Sequence, residues 1–207
     1  EEFSMKRLIA SFIVATSLIS SVPASAEQPS DTVPEITDLE IADADERIIL
    51  QNIAVISSPV ADVWAAFATE DGYKSWAVPV AFVDFRVGGF FETSYNPEAK
   101  IGDPANIKNE ILAYIPEQLL VLKNTQAPPG FASRDILDRL VSVFQFEALE
   151  NGQTKITISG IGYGPDEESQ RLVKFFKAGN SWSLGELNKM LAKKRNAQSD
   201  RKTPFIP

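Results

Sequence analysis

The sequence predicts an α+β domain: a curved antiparallel sheet, two short helices after its first strand, and a long C-terminal helix. Three observations carry that prediction. Apolar residues recur with a period of two in several segments between Val80 and Tyr163, as strands with one buried face require. A short stretch, Val60, Val63, Trp64 and Phe67, has the i, i+3, i+4, i+7 spacing of an amphipathic helix. A longer helical stripe closes the chain through Val173, Phe176, Asn180, Leu184, Leu187 and Leu191.

Ahead of the domain, Met5 is followed by Lys6-Arg7, an apolar run from Leu8 to Ile19 and the small-residue motif Ala24-Ser25-Ala26. This is the pattern of a cleavable secretion signal over residues 5–26, and its apolar run is short for a bilayer span. Residues 1–4 read as a reading-frame leftover. The expected mature chain starts at Glu27 and is periplasmic or secreted, with no stable membrane insertion after cleavage. Residues 27–46 are acidic, contain Pro29 and Pro34, and read as a solvated linker with one short ordered piece near Ile36 to Ile41.

The domain is expected over residues 47–195. Arg47 to Ser57 is rich in Ile and Val and reads as its first strand. Ser58 suits a helix cap and Pro59 the first helical position, and a second short helix follows from Glu70 to Trp76. From Val80 the alternation puts Val83, Phe85 and Val87 on one strand face and Asp84 and Arg86 on the other. Gly88-Gly89 then supplies a tight turn, and Phe90 to Tyr95 returns antiparallel. Further strands are expected at Asn106 to Tyr114, Leu119 to Asn124, Arg139 to Leu149 and Lys155 to Tyr163. Gly164-Pro165 and Asp166-Glu167-Glu168 open the final helix, while Lys189, Lys193, Lys194 and Arg195 suit its C-terminal end. Residues 196–207 read as a tail.

Composition removes several classes of function. The chain has 20 basic and 28 acidic residues; without Glu1, Glu2, Lys6 and Arg7 these become 18 and 26, and the balance stays at −8. That balance argues against nucleic acid or an anionic membrane surface as the main partner. With 0 His and 0 Cys the sequence offers no imidazole base, thiolate, disulfide framework or ordinary zinc site. No cofactor and no metal are expected.

Several motifs resolve to structure. "SGIGYGPDEES" has the strand, glycine and helix order of a phosphate loop, but acidic residues stand where phosphate would sit, so it reads as a turn. Asp43, Asp45 and Glu46 lack a Ca loop's glycine and distal glutamate. Ser199 and Lys202 match a nucleophile spacing by chance, in a polar tail. Asp84 and Arg86 read as a surface ion pair.

In "SSPVADVWAAFATEDGYKSWAVPVAFVDFRVGGFFE", "NEILAYIPEQLLVL" and "GIGYGPDEESQRLVKFFKAGNSWSLGELNKML", the sequence resembles the helix-grip, START-like (SRPBCC) superfamily. The branch it resembles is that of the C-terminal domain of the activators of Hsp90 ATPase. The resemblance covers about Ile48 to Lys193. It implies a curved sheet folded around the C-terminal helix, with a cavity between them that often takes an apolar ligand. Where many relatives have Gly-Trp on the last helix, this chain has Gly179-Asn180, with the indole two positions later at Trp182. Two helical residues rotate a side chain by about 200°, so Trp182 is expected to face nearly opposite the usual direction.

The expected ligand-binding residues are Trp64, Phe67, Trp76, Phe85, Phe91, Glu110, Phe131, Phe144, Phe146, Phe176 and Asn180; no catalytic residue is assigned. The aromatic residues lie in elements that enclose the centre of such a fold, where ordinary core packing is the competing reading. Asn180 interrupts an apolar stripe and therefore needs a partner: a backbone carbonyl, a water or a ligand. The segment Asn124 to Leu140, with Pro128-Pro129-Gly130 and Phe131, reads as a mobile lid. The expected function is an exported protein binding a small, largely apolar molecule. The alternatives are a cofactor-free enzyme of polyketide-cyclase or hydrolase type using Glu92, Glu110 or Tyr114, and a protein-interaction module like the Hsp90 activators. Oligomeric state is left open.

Overall fold

The computed structural model describes residues 36–42 and 47–202. The secretion signal, the residues ahead of it, the linker as far as residue 35 and Asp43, Asp45 and Glu46 lie outside the described residues.

Eight antiparallel strands form one sheet in the order β1-β2-β8-β7-β6-β5-β4-β3. They are β1 (Ile36–Ala42), β2 (Ile48–Ile56), β3 (Val80–Val83), β4 (Phe90–Ser94), β5 (Ile107–Ile115), β6 (Leu119–Gln126), β7 (Val141–Ala148) and β8 (Thr154–Tyr163). The helices are α1 (Val60–Ala68), α2 (Glu70–Lys74), α3 (Arg134–Arg139) and α4 (Glu167–Lys202). This is the α+β helix-grip arrangement: a curved, open sheet with a long final helix against it. Register shifts in the β2/β8 and β5/β6 pairs mark bulges, which add bend and twist.

The ordered piece expected near Ile36 to Ile41 is an edge strand, paired with β2 from Ile36↔Ala54 to Ala42↔Ile48. Its alternation is hard to see in sequence because the side turned toward α4 carries Asp38 and Glu40 between Ile36 and Ala42.

The Gly-Gly hairpin differs from expectation. Strand β3 stops at Val83, and residues 84–89 form a longer turn in which the Asp84 N–H donates to the Phe90 carbonyl at 3.0 Å. Only Gly88 has positive φ, at 75°. Gly89 is required for space, since a Cβ there would lie 2.1 Å from the Asp84 carbonyl oxygen. Phe85 packs against the core and Val87 is exposed, so the expected common face of Val83, Phe85 and Val87 breaks at the turn. The Asp84–Arg86 ion pair does form, at 2.9 Å.

Ser58 does not cap α1. Pro59 occupies the capping position, and the Ser58 hydroxyl accepts from Arg195 at 2.9 Å. Asp166 caps α4 instead, accepting from the Ser169 N–H and hydroxyl at 2.8 Å each, as the turn reading of the glycine-rich segment requires. The expected tail is absent up to Lys202, because α4 continues through it.

Candidate functional site

The inner face of the sheet is covered piecewise. Helix α4 lies over β2 and β8, α1 over β7, α2 beside β3, and α3 against β6 and β8. Between these covers sits a connected set of rings. Trp64 of α1 meets Phe85 edge-on at 5.7 Å and Phe146 at 5.4 Å, and Phe85 meets Tyr114 at 4.9 Å. Phe67 joins Trp76 at 5.0 Å, Phe144 at 5.6 Å and Phe146 at 5.2 Å. Tyr73 links Trp76 to Phe91. The Trp76 indole N–H donates to the Ala66 carbonyl at 3.0 Å, so that ring is fixed.

This set divides by burial. Phe67, Phe91 and Phe146 are fully enclosed and act as core. Trp64, Phe85, Tyr114 and Phe144 belong to the same cluster yet stay half-buried, although all four lie on its inner side. Tyr114 reaches this side through the bulge between Ile111 and Ala113, which shifts the parity of β5. Asn109, Asn124 and Ser142 are also half-buried, alternating in register with the inward-facing Ile111, Leu122 and Phe144. The Asn124 amide donates to Asn109 Oδ1 at 3.2 Å and to the Gln126 carbonyl at 2.9 Å. The inner face therefore combines aromatic surface with a small amide and hydroxyl group.

The remaining expected site residues lie elsewhere. Glu110 pairs with Phe90 and Lys123 in the ladders, so it projects from the outer face, opposite its neighbour Ile111. Glu92 is also on the outer face, 1% exposed beneath the 95–106 loop. It accepts from Asn106 at 2.8 Å and from the Gly102 N–H, and pairs with Lys108 at 3.3 Å. Burial pushes the Glu92 carboxyl up, but these donors together outweigh it and hold it below the usual glutamate value. Neither carboxylate named for acid or base chemistry reaches the inner face. Among the described residues no three acidic side chains gather as a metal site.

Phe131 and Phe176 join a second cluster with Leu50, Ile136, Tyr163 and Leu172. Phe131 packs on Phe175 at 5.3 Å and Phe176 at 6.1 Å, apart from the Trp64 group. The expected lid is anchored: Glu168 accepts from the Ser133 N–H at 2.7 Å and hydroxyl at 2.6 Å, and Arg171 donates to the Phe131 carbonyl at 3.0 Å. Helix α3 follows with Ile136 and Leu137 buried, so apolar anchoring turns the segment into structure. Asn180 has a partner that sequence reasoning did not consider, the side chain of Asn52, whose Oδ1 accepts at 2.9 Å. The signal was present: Asn52 falls on the inward parity of β2 with Leu50, Ala54 and Ile56. Trp182 points outward, 57% exposed, as its displacement on the helix implies.

A helix-grip domain with a partly open, aromatic inner face is thus the class that fold and site define. The family of activator of Hsp90 ATPase homolog 1-like proteins matches residues 57–192, and the chain belongs to that family. Solved structures agree on the fold. A Mycobacterium smegmatis protein has 20% identity and a TM-score of 0.56, over 77% of this chain and 99% of its own. A Nitrosomonas europaea protein has 20% identity and a TM-score of 0.55, over 74% and 99%. The Aha1 dimer from Colwellia psychrerythraea has 16% identity and a TM-score of 0.52, over 68% and 98%. No curated protein matches the sequence.

Proposed function

We propose that this is an exported helix-grip protein that binds a small, largely apolar molecule on the inner face of its sheet. The observation that carries the reading is that Trp64, Phe85, Tyr114 and Phe144 face inward while remaining half-buried. Apolar rings left part-wet on a concave face gain by covering them, and a flat hydrocarbon or ring system is the matching shape. Asn109, Asn124 and Ser142 offer such a ligand a few hydrogen-bonding groups at one side of the aromatic set. Export is supported by the secretion-signal pattern of residues 5–26. The enzyme alternative is supported less, because Glu92 and Glu110 project from the other face.

Native mass spectrometry of the protein purified from its own cells, followed by solvent extraction, tests this directly. A stoichiometric apolar molecule, lost in Trp64→Ala and Phe144→Ala variants that still fold, is the expected result. An empty protein that shows no thermal shift with any of a library of lipids, quinones and aromatic compounds would rule the reading out.

A further inference from the structure

The chain's overall charge hides a strong asymmetry. From Arg171 to Arg195, α4 carries seven basic residues and one acidic residue, within a chain whose net charge is −8. At 100° per residue, Arg171, Phe175, Trp182, Glu186, Lys189 and Lys193 share the face opposite the buried Val173, Leu184, Leu187 and Leu191. Phe175 is 53% exposed and Trp182 57%. They stand two turns apart, about 10 Å along the axis. Gly179 lies between them on the same face with open space around it, so neither ring is screened. Phe175 is steadied from the side by Phe131 and Phe176, each at 5.3 Å. Between Arg171 and Arg195 the one carboxylate on this face, Glu186, is matched by Lys189 at 2.7 Å, and Glu168, one turn ahead on the same face, pairs with Arg171 at 3.7 Å.

We propose that this face of α4 docks on an anionic phospholipid surface. Phe175 and Trp182 enter at headgroup level, and Lys174, Lys189 and Lys193 meet the phosphates. Aromatic rings combined with basic residues are how peripheral helices hold to anionic lipid. The face is a convex ridge along one helix rather than a groove, which fits a planar surface better than an inserted peptide. Among the described residues no helix is long and apolar enough to cross a membrane, so the contact is peripheral. The acidic body does not prevent it, because charges farther from the lipid than about 8 Å are largely screened at physiological salt. The inference is independent of the inner-face ligand.

The test is vesicle co-sedimentation with phosphatidylglycerol/phosphatidylcholine mixtures against pure phosphatidylcholine. It uses the full chain and, alongside it, a chain starting at Glu27 that lacks the apolar Leu8 to Ile19 run. All strands and both clusters lie within the compact unit Asp31–Pro207 and are retained. Binding to the anionic vesicles that falls with salt, with a blue shift of Trp182 emission, is expected. Trp182→Ala should weaken it about tenfold, as for loss of a buried large apolar side chain. Lys189→Gln and Lys193→Gln should weaken it about fivefold each. Unfolding midpoints should stay unchanged, and Trp64→Ala should leave vesicle binding intact. No binding to anionic vesicles, or equal salt-insensitive binding to phosphatidylcholine, would overturn the proposal. So would a Trp182→Ala variant that loses self-association while binding lipid normally.

Discussion

Asn180 of α4 donates its side-chain amide to Asn52 Oδ1 of β2 at 2.9 Å, which ties the middle of the long helix to the strand next to the sheet edge through a polar contact. Asn52 is completely enclosed and itself donates to Asp38 at 2.6 Å and to the Lys177 carbonyl at 3.2 Å. Ser181 also donates to Asp38, at 3.1 Å, so edge strand β1 is held to the helix by the same seam.

Removing one member of that seam strands the others. Asn52→Ala should lower stability by about 2–3 kcal/mol, the cost of leaving buried amides without partners. The double variant Asn52→Leu/Asn180→Leu should lose less than the sum of its single variants, since an apolar pair of similar shape leaves that contact with no unpaired polar group. Urea unfolding of the four proteins measures both, and strictly additive losses would show that the two amides are not coupled.

Glu92 makes stability depend on pH in the acid range. Its folded-state carboxyl lies below the ordinary value, so its contribution is complete above about pH 4.3 and is lost as pH falls through the folded value. Glu92→Gln should therefore unfold more easily than the parent at pH 7, by about 2 kcal/mol, because Lys108 loses its charged partner and Asn106 and Gly102 lose an ionised acceptor. At pH 3 the two proteins should differ much less. Thermal unfolding across that range checks the convergence; a gap that stays constant would separate Glu92 from the acid transition.

Glu117 sits at φ 61°, the only positive-φ residue other than glycine among those described. It follows Pro116 in a turn closed by the Gln118 N–H to the Ile115 carbonyl at 3.0 Å, where glycine is the residue of least strain. Glu117→Gly should raise stability by about 0.5–1 kcal/mol, the αL cost relieved less glycine's extra unfolded-state entropy. Calorimetry would show this as a higher midpoint.

Gly162 behaves oppositely. It has φ 107°, and a Cβ there would lie 2.2 Å from the Arg139 carbonyl oxygen. Gly162→Ala should destabilise by about 3 kcal/mol or more, through combined strain and backbone clash in the bulge that brings Tyr163 inward. A fully folded variant of parental stability would contradict the assigned backbone.

Element type was readable wherever side-chain period and burial coincide. Strands β2 and β5 to β8 repeat every second residue because one face meets a core. Helix α4 announces itself through Val173, Leu184, Leu187 and Leu191, and Asp166 through its place at the helix start. Strand β1 was obscure because two of its inner residues, Asp38 and Glu40, are satisfied by Ser181 and Lys177, which lie far away in sequence.

What the sequence by itself determined was strands β2 to β8, helices α1, α2 and α4 and their order, the helix-grip family and the outward turn of Trp182, because each depends on local periodicity or on a motif read within one segment; helix α3 and the pairing of β1 were not among them. Which aromatic rings stay part-exposed, that Glu92 and Glu110 face outward, that Asn180 finds Asn52, and that Phe131 is fastened to α4 were decided only in the tertiary structure. Those outcomes depend on strand register and bulges, where a shift of one residue turns a side chain from core to solvent, and on partners separated by as many as 128 positions along the chain.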